Sequence, residues 1–183
     1  MEKKKSELRR LLRVIDRKNI SVTEVIDLIE NQKKEGANFS EKFNLIIDYS
    51  RSLKEMILAG SYDWSDSDVL KENFIPKGLV GKKVDVDAKI FYFNKTVKNR
   101  DIFIAMEKEG YRPANLFELL ALGEAKPDLQ KKFGIFALHP IWSCVPDVSR
   151  VPALRFASGQ RRLFLYWFTT NWSRHHRFLA VRE

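Results

Sequence analysis

Hydrophobic spacing divides the chain into two styles. Leu8, Leu11, Leu12 and Ile15 recur at helical spacing and predict a helix over about 6–17. Ser21-Val-Thr-Glu24 has the form of a capping box, with Ile20 and Val25 placed as a hydrophobic staple. Val22, Val25, Ile26 and Ile29 continue that face. Phe43, Ile46, Ile47, Ser50, Leu53 and Ile57 predict a longer helix that opens at Ser40 and ends at Gly60, a C′ glycine. Each stripe is narrow, as in helices that pack on a neighbour. These helices could bundle, dock on the rest of the chain or bind a partner.

Residues 61–83 are polar and read as a connector. Asp63, Asp66 and Asp68 lack the glycine and distal glutamate of a calcium loop, so an acidic, helix-capping turn is expected. Val84, Val86, Ala88 and Ile90 alternate with Asp85, Asp87 and Lys89, the pattern of a half-buried strand over 84–93. Ile102, Phe103 and Met106 predict a helix over about 99–109 that Gly110 stops. Asn115-Leu-Phe-Glu118 predicts a capped helix that buries Leu116, Leu119 and Leu120 and ends at Gly123. Pro127 can start a short turn over 127–133. Short runs at 135–139, 151–156, 162–168 and 177–182, set apart by Gly, Pro, Ser and Asn, predict antiparallel strands.

The order of one strand, two helices, then loops and short strands resembles the C-type lectin-like plan. Gly110-Tyr-Arg-Pro-Ala-Asn-Leu-Phe-Glu-Leu-Leu120 is similar to the "RLPTEAEWEYA" helix start of formylglycine-generating-enzyme-like domains. Arg177-Phe-Leu-Ala-Val-Arg182 is similar to their closing "GFRLAR" strand. The subgroup includes the variable proteins of diversity-generating retroelements, and small uncharacterised bacterial proteins share the same two pieces. The resemblance covers 84–183 and implies an α+β architecture. In it, a C-type lectin-like domain of short antiparallel strands follows a helical N-terminal extension (1–60) and a connector (61–83). It also implies a rigid scaffold that displays side chains from its last strands, a surface that is diversified in the variable proteins. Close copies from one genome would then differ mainly at outward positions there.

The departures narrow the activity. Formylglycine generation uses a cysteine pair, whereas Cys144 stands alone. The "EPN", "QPD" and "WND" motifs of calcium-dependent sugar binding are missing from the sequence.

Charge adds a second theme. Thirty-three Lys and Arg against 24 Asp and Glu give a formal net charge of +9. Residues 1–18 hold eight basic residues against three acidic ones; from Arg150 onward there are seven arginines, no lysine and one acid, Glu183. Such a balance favours anionic partners. Arginine in particular suits packed or recognising surfaces. No apolar run reaches the roughly 18 residues of a membrane span, and MEKKKSELRR lacks the apolar stretch of a secretory signal. One cysteine forms no internal disulfide, so a cytoplasmic setting is expected.

No catalytic constellation emerges. His139, His175 and His176 are the histidines; in extended backbone His175 and His176 point to opposite sides and do not share a metal. Cys144 reads as a small packed residue. Glu107, Glu109, Glu118 and Glu124 read as capping and solvated acids, and no P-loop, GxGxxG or GxSxG occurs. No metal and no cofactor is expected.

The stretch Arg161–Glu183 crowds aromatic and cationic side chains together. If Leu163, Leu165 and Trp167 face the core, then Phe164, Tyr166 and Phe168 stand outside. The expected binding surface is Phe164, Tyr166, Thr169, Thr170, Asn171, Ser173, Arg174 and His175, with Trp142 and Arg155 nearby. Such residues dominate protein hot spots and also stack on sugars and bases. A non-enzymatic recognition module is expected, with a protein or peptide ligand first and a glycan second. A basic nucleic-acid-binding accessory protein is the alternative. The competing reading of Phe164 and Tyr166 is that both strand faces are covered, one by the core and one by the N-terminal helices.

Overall fold

A computed structural model describes residues 41–71, 78–139, 149–168 and 171–182. The chain divides into two compact units, Met1–Phe39 and Ser40–Glu183, and all of the described residues belong to the second. The helices expected over 6–17 and 21–29 lie outside the described residues, as do Trp142, Cys144, Thr169 and Thr170.

The second unit is α+β. Its strands are β1 (Lys42–Asp48), β2 (Trp64–Ser65), β3 (Lys83–Tyr92), β4 (Val97–Lys98), β5 (Tyr111–Pro113), β6 (Ile135–Ala137), β7 (Arg150–Ala157), β8 (Gln160–Trp167), β9 (Asn171–Trp172) and β10 (Arg177–Arg182). Its helices are α1 (Leu53–Ala59), α2 (Asn99–Lys108), α3 (Leu116–Ala125) and α4 (Leu129–Lys132), with a 3₁₀ turn at Ser67–Lys71. The main sheet runs β1-β3-β10-β6-β7-β8-β2, with β5 also on β10; β4 and β9 form a separate pair. Pairing is antiparallel except for β6 with β10 and β2 with β8.

β10 lies at the centre of this sheet. Its continuous apolar run is the signature of a strand buried on both faces. Leu179 and Val181 join a cluster with Phe43, Leu45 and Ile47 of β1 and with Leu116, Leu119 and Leu120 of α3. Phe178 and Ala180 join an opposite cluster with Phe136, Trp172, and Ile102 and Met106 of α2. Helical layers therefore cover both faces of the sheet.

Residues 42–48 are a strand, not part of a helix opening at Ser40. The segment carries two periods at once. Phe43, Leu45 and Ile47 alternate inward, paired with Ala88, Val86 and Val84 of β3, while Ile46 is 69% exposed. Asp48 then breaks the run: its Oδ1 accepts from Ser50 N at 3.0 Å. Ser52 and Glu55 form a capping box that starts α1 afresh. The compact unit that carries the sheet spans Ser40–Glu183.

Gly60 does end α1, but its backbone is right-handed and its use is steric. A Cβ there would sit 2.3 Å from the Tyr62 ring. Gly123 does not end its helix, because α3 continues to Ala125. A Cβ at Gly123 would lie 1.9 Å from the Tyr62 hydroxyl, so the two glycines make the slot that holds this ring. Other sequence expectations hold. The strand over 84–93, the helix over 99–109, the Asn115–Glu118 capping box and the short turn at 127–133 are all present as β3, α2, α3 and α4. Gly110 stops α2 with φ +74°.

Candidate functional site

The floor of the site is the β7–β8 hairpin. Its register places Arg155 opposite Arg162 and Ala153 opposite Phe164. Leu163 is buried in the α1/α3-side cluster and Leu165 packs on that cluster's edge. Trp167, expected inside with them, is 60% exposed. Phe164, Tyr166 and Phe168, expected outside, pack against the cluster that holds Phe136 and Trp172. Both faces of β8 are thus covered along most of its length.

The following turn is also less open than its composition suggests. Trp172 is fully buried, and its Nε1 donates to Asn99 Oδ1 at 2.5 Å. Tyr166 meets Phe136 edge-on at 5.4 Å and Trp172 at 6.0 Å, so it serves chiefly as packing. Asn171, Ser173, Arg174 and His175 are exposed, as expected. His175 and His176 part company: His175 faces solvent, while the half-buried His176 ring packs on Phe136 at 4.7 Å and Trp172 at 5.4 Å. Burial, and next the charge of Arg155, hold His176 below its ordinary pKa, and among the described residues its buried Nδ1 has no partner.

Two cavities meet at Arg155. One, of about 340 Å³, is lined by Trp64, Asp66, Arg162, Phe164 and Leu165 together with Arg155. The other, of about 280 Å³, opens between α4, the start of β6, the tip of β7 and the 173–176 turn. Lys131, Lys132, Arg155, His175 and Arg177 line it, and none of its described lining residues is Asp or Glu.

Three devices bring these cations together. Gln130, 2% exposed, donates from Nε2 to the Arg155 carbonyl at 2.9 Å, which fastens α4 and its two lysines to β7. Gly134 leaves room for the Arg155 stem: a Cβ there would be 3.1 Å from Arg155 Cγ. Arg177 is held over the Tyr92 ring at 3.3 Å, with Phe133 at 5.0 Å. Burial lowers the Arg177 pKa, Tyr92 partly offsets this, and among the described residues the buried Arg177 Nε has no partner.

Several framework cations face carboxylates. Arg112 pairs with buried Glu118 at 2.7 Å, Arg150 with Asp68 at 3.0 Å, and buried Lys89 with Glu109. The connector acids are structural too: Asp63 accepts from Arg161 N at 2.6 Å, and Asp66 accepts from Asp68 N at 2.9 Å. In the acid-free cavity, Lys131 pairs with Asp128 at 2.7 Å on the solvent side, whereas Arg155 has no ion pair among the described residues.

Of the expected surface, the structure brings Arg155 and Phe164 to one cavity and Arg155 and His175 to the other. It does not bring Tyr166, Asn171, Ser173 or Arg174 into either. Sequence reasoning missed Gln130, Lys131, Lys132, Gly134, Phe156, Arg177 and Trp64. One signal was available: between Asp128 and Glu183 the chain has a single acid, Asp147.

Among the described residues, no cluster of His, Cys, Asp and Glu could hold a metal, and no helix is long and apolar enough to cross a membrane. No family model, curated protein or solved structure matches the chain.

Proposed function

We propose that this protein is a non-enzymatic recognition module of the C-type lectin-like plan, and that it binds a protein or peptide segment at the grooves around Arg155. The plan is supported by the order β3, α2, α3, the β6–β8 segment and closing β10, with β3 and β10 paired side by side. The observation that carries the binding reading is unmatched positive charge on a rigid floor. Arg155 and Lys132 line a cavity without a facing carboxylate, whereas arginines in the framework have one or spend their donors on carbonyls. Phe156 (39% exposed) and Trp64 (46% exposed) add apolar area on either side. Arginine and aromatic groups together make the centres of protein interfaces. The surface is therefore Arg155, Phe156, Phe164, His175 and Lys132, with Asn171, Ser173 and Arg174 along the adjoining turn.

Selection of a displayed random peptide library on the full chain tests this. Counter-selection uses the Lys132→Glu/Arg155→Glu double variant. Enrichment of sequences that bind the wild type and not the variant is expected. Enrichment indifferent to the variant would move the site elsewhere. The basic net charge of +9 supports the alternative of nucleic-acid binding, which predicts affinity that collapses as salt rises.

A further inference from the structure

The acid-free cavity has a more specific chemistry than the groove as a whole. Lys132, Arg155 and Arg177 line it with no carboxylate among its described lining residues. Asp128 outside it is ion-paired to Lys131 and within electrostatic reach of Lys132, and Arg177 also donates to the carbonyls of Arg174 and His176 at 3.4 Å. Lys132 and Arg155 are exposed and Arg177 is half-buried, so their like charges repel one another across the open cavity, and an anion inside would relieve that. The pocket is built, since buried Gln130 fixes α4 on β7, Gly134 leaves space for the Arg155 stem, and Tyr92 clamps Arg177. Guanidinium forks and a lysine point charge are the donor set for phosphate oxygens. A carboxylate would bring one negative charge to three cations, whereas a phosphate monoester brings about −1.5 to −2 at neutral pH. Phe156 at the rim and Phe133 beside Arg177 would meet an apolar or aromatic carrier.

We propose that the cavity between α4, β6 and the β7 tip binds a phosphate monoester carried on an apolar or aromatic group. This deepens the recognition reading and rests on it only for the choice of face. The phosphate could belong to a phosphorylated protein side chain or to a free small ester, and the shared chemistry is the dianion.

The test is a titration of the isotope-labelled full chain with phenyl phosphate, followed by amide NMR shifts. A phosphotyrosine peptide and its unphosphorylated form are run in parallel. Saturable binding of phenyl phosphate is expected, weakened about tenfold or more by Lys132→Glu and by Arg155→Glu. Lys54→Glu, the same charge change on exposed α1, should leave it unchanged. Tighter binding of the phosphopeptide than of phenyl phosphate assigns a protein source; equal binding assigns a free ester. Absence of saturable binding overturns the proposal, as does equal weakening by all three variants, which would signal bulk charge. If phosphate fails while library selection still yields groove-dependent peptides, the recognition reading stands and only this inference falls.

Discussion

Arg161 and Arg155 sit on one hairpin and have opposite fates. Arg161 donates to the carbonyls of Gly60 at 2.7 Å and Gly123 at 2.9 Å and to Gln130 Oε1 at 3.2 Å, with its guanidinium over Tyr62 at 5.2 Å. It ties α1, α3 and α4 to the sheet. Arg155 rests its guanidinium 5.9 Å from the Phe164 ring, in the open. The same residue type is framework where acceptors surround it and stays exposed where they do not. Distribution of acceptors decides, not the arginine count.

Variants can sharpen this contrast, and the largest effect belongs to the framework. Trp172→Ala should destabilise by about 3–5 kcal/mol in urea unfolding, since it empties a fully enclosed site and removes the indole donor to Asn99 Oδ1. A loss below about 1 kcal/mol would mean that this turn is as open as its composition suggests. Arg161→Ala should lose about 2–3 kcal/mol, because an unsatisfied buried acceptor costs about 1–3 kcal/mol. Gly123→Ala should lose about 1–3 kcal/mol, the usual range for overpacking. Tyr62→Phe should recover part of that loss in the double variant: the hydroxyl is what the new Cβ meets, and it has no hydrogen-bond partner among the described residues.

A subtler effect is pH-dependent. His176 has its folded pKa depressed below the ordinary 6.5 by burial and by the facing charges of Arg155, His175 and Arg177. The unfolded state then binds the proton more readily. This contribution to stability is full above about pH 6.5 and is lost as pH falls through the folded value. Thermal melts should show His176→Gln flattening that slope, while an unchanged slope would assign it to other groups. Smallest of all, Arg155→Glu and Lys132→Glu should move stability by no more than about 0.5 kcal/mol, as for surface substitutions. A loss like that of Arg161→Ala would erase the distinction.

Much of the framework was legible in the sequence because it is locally encoded. The Asn115–Glu118 box, the Val84–Ile90 alternation and the apolar run of β10 each carry their own period. The strand at 42–48 was misread because Phe43, Ile46, Ile47 and Ser50 fit a helix while Phe43, Leu45 and Ile47 fit a strand, and only pairing with β3 decides between them. The faces of β8 were misassigned because a strand covered on both sides gives alternation no solvent side to mark. The basic cavity was legible only in part. Arg155 and His175 stood out by residue type, but Lys132, Gly134 and Arg177 reach them through tertiary contacts that no local pattern records.

The most direct test of the account is fluorescence anisotropy of an acidic, tyrosine-containing peptide pool and of mixed oligonucleotides, at about 50 and 200 mM salt, a range over which phosphate-backbone binding weakens steeply. Wild type and the Lys132→Glu/Arg155→Glu variant are compared. The account predicts peptide binding that survives the higher salt in the wild type and is lost in the variant. Oligonucleotide binding that collapses with salt, alongside no peptide binding, would contradict it and make the charge of this chain a nucleic-acid footprint.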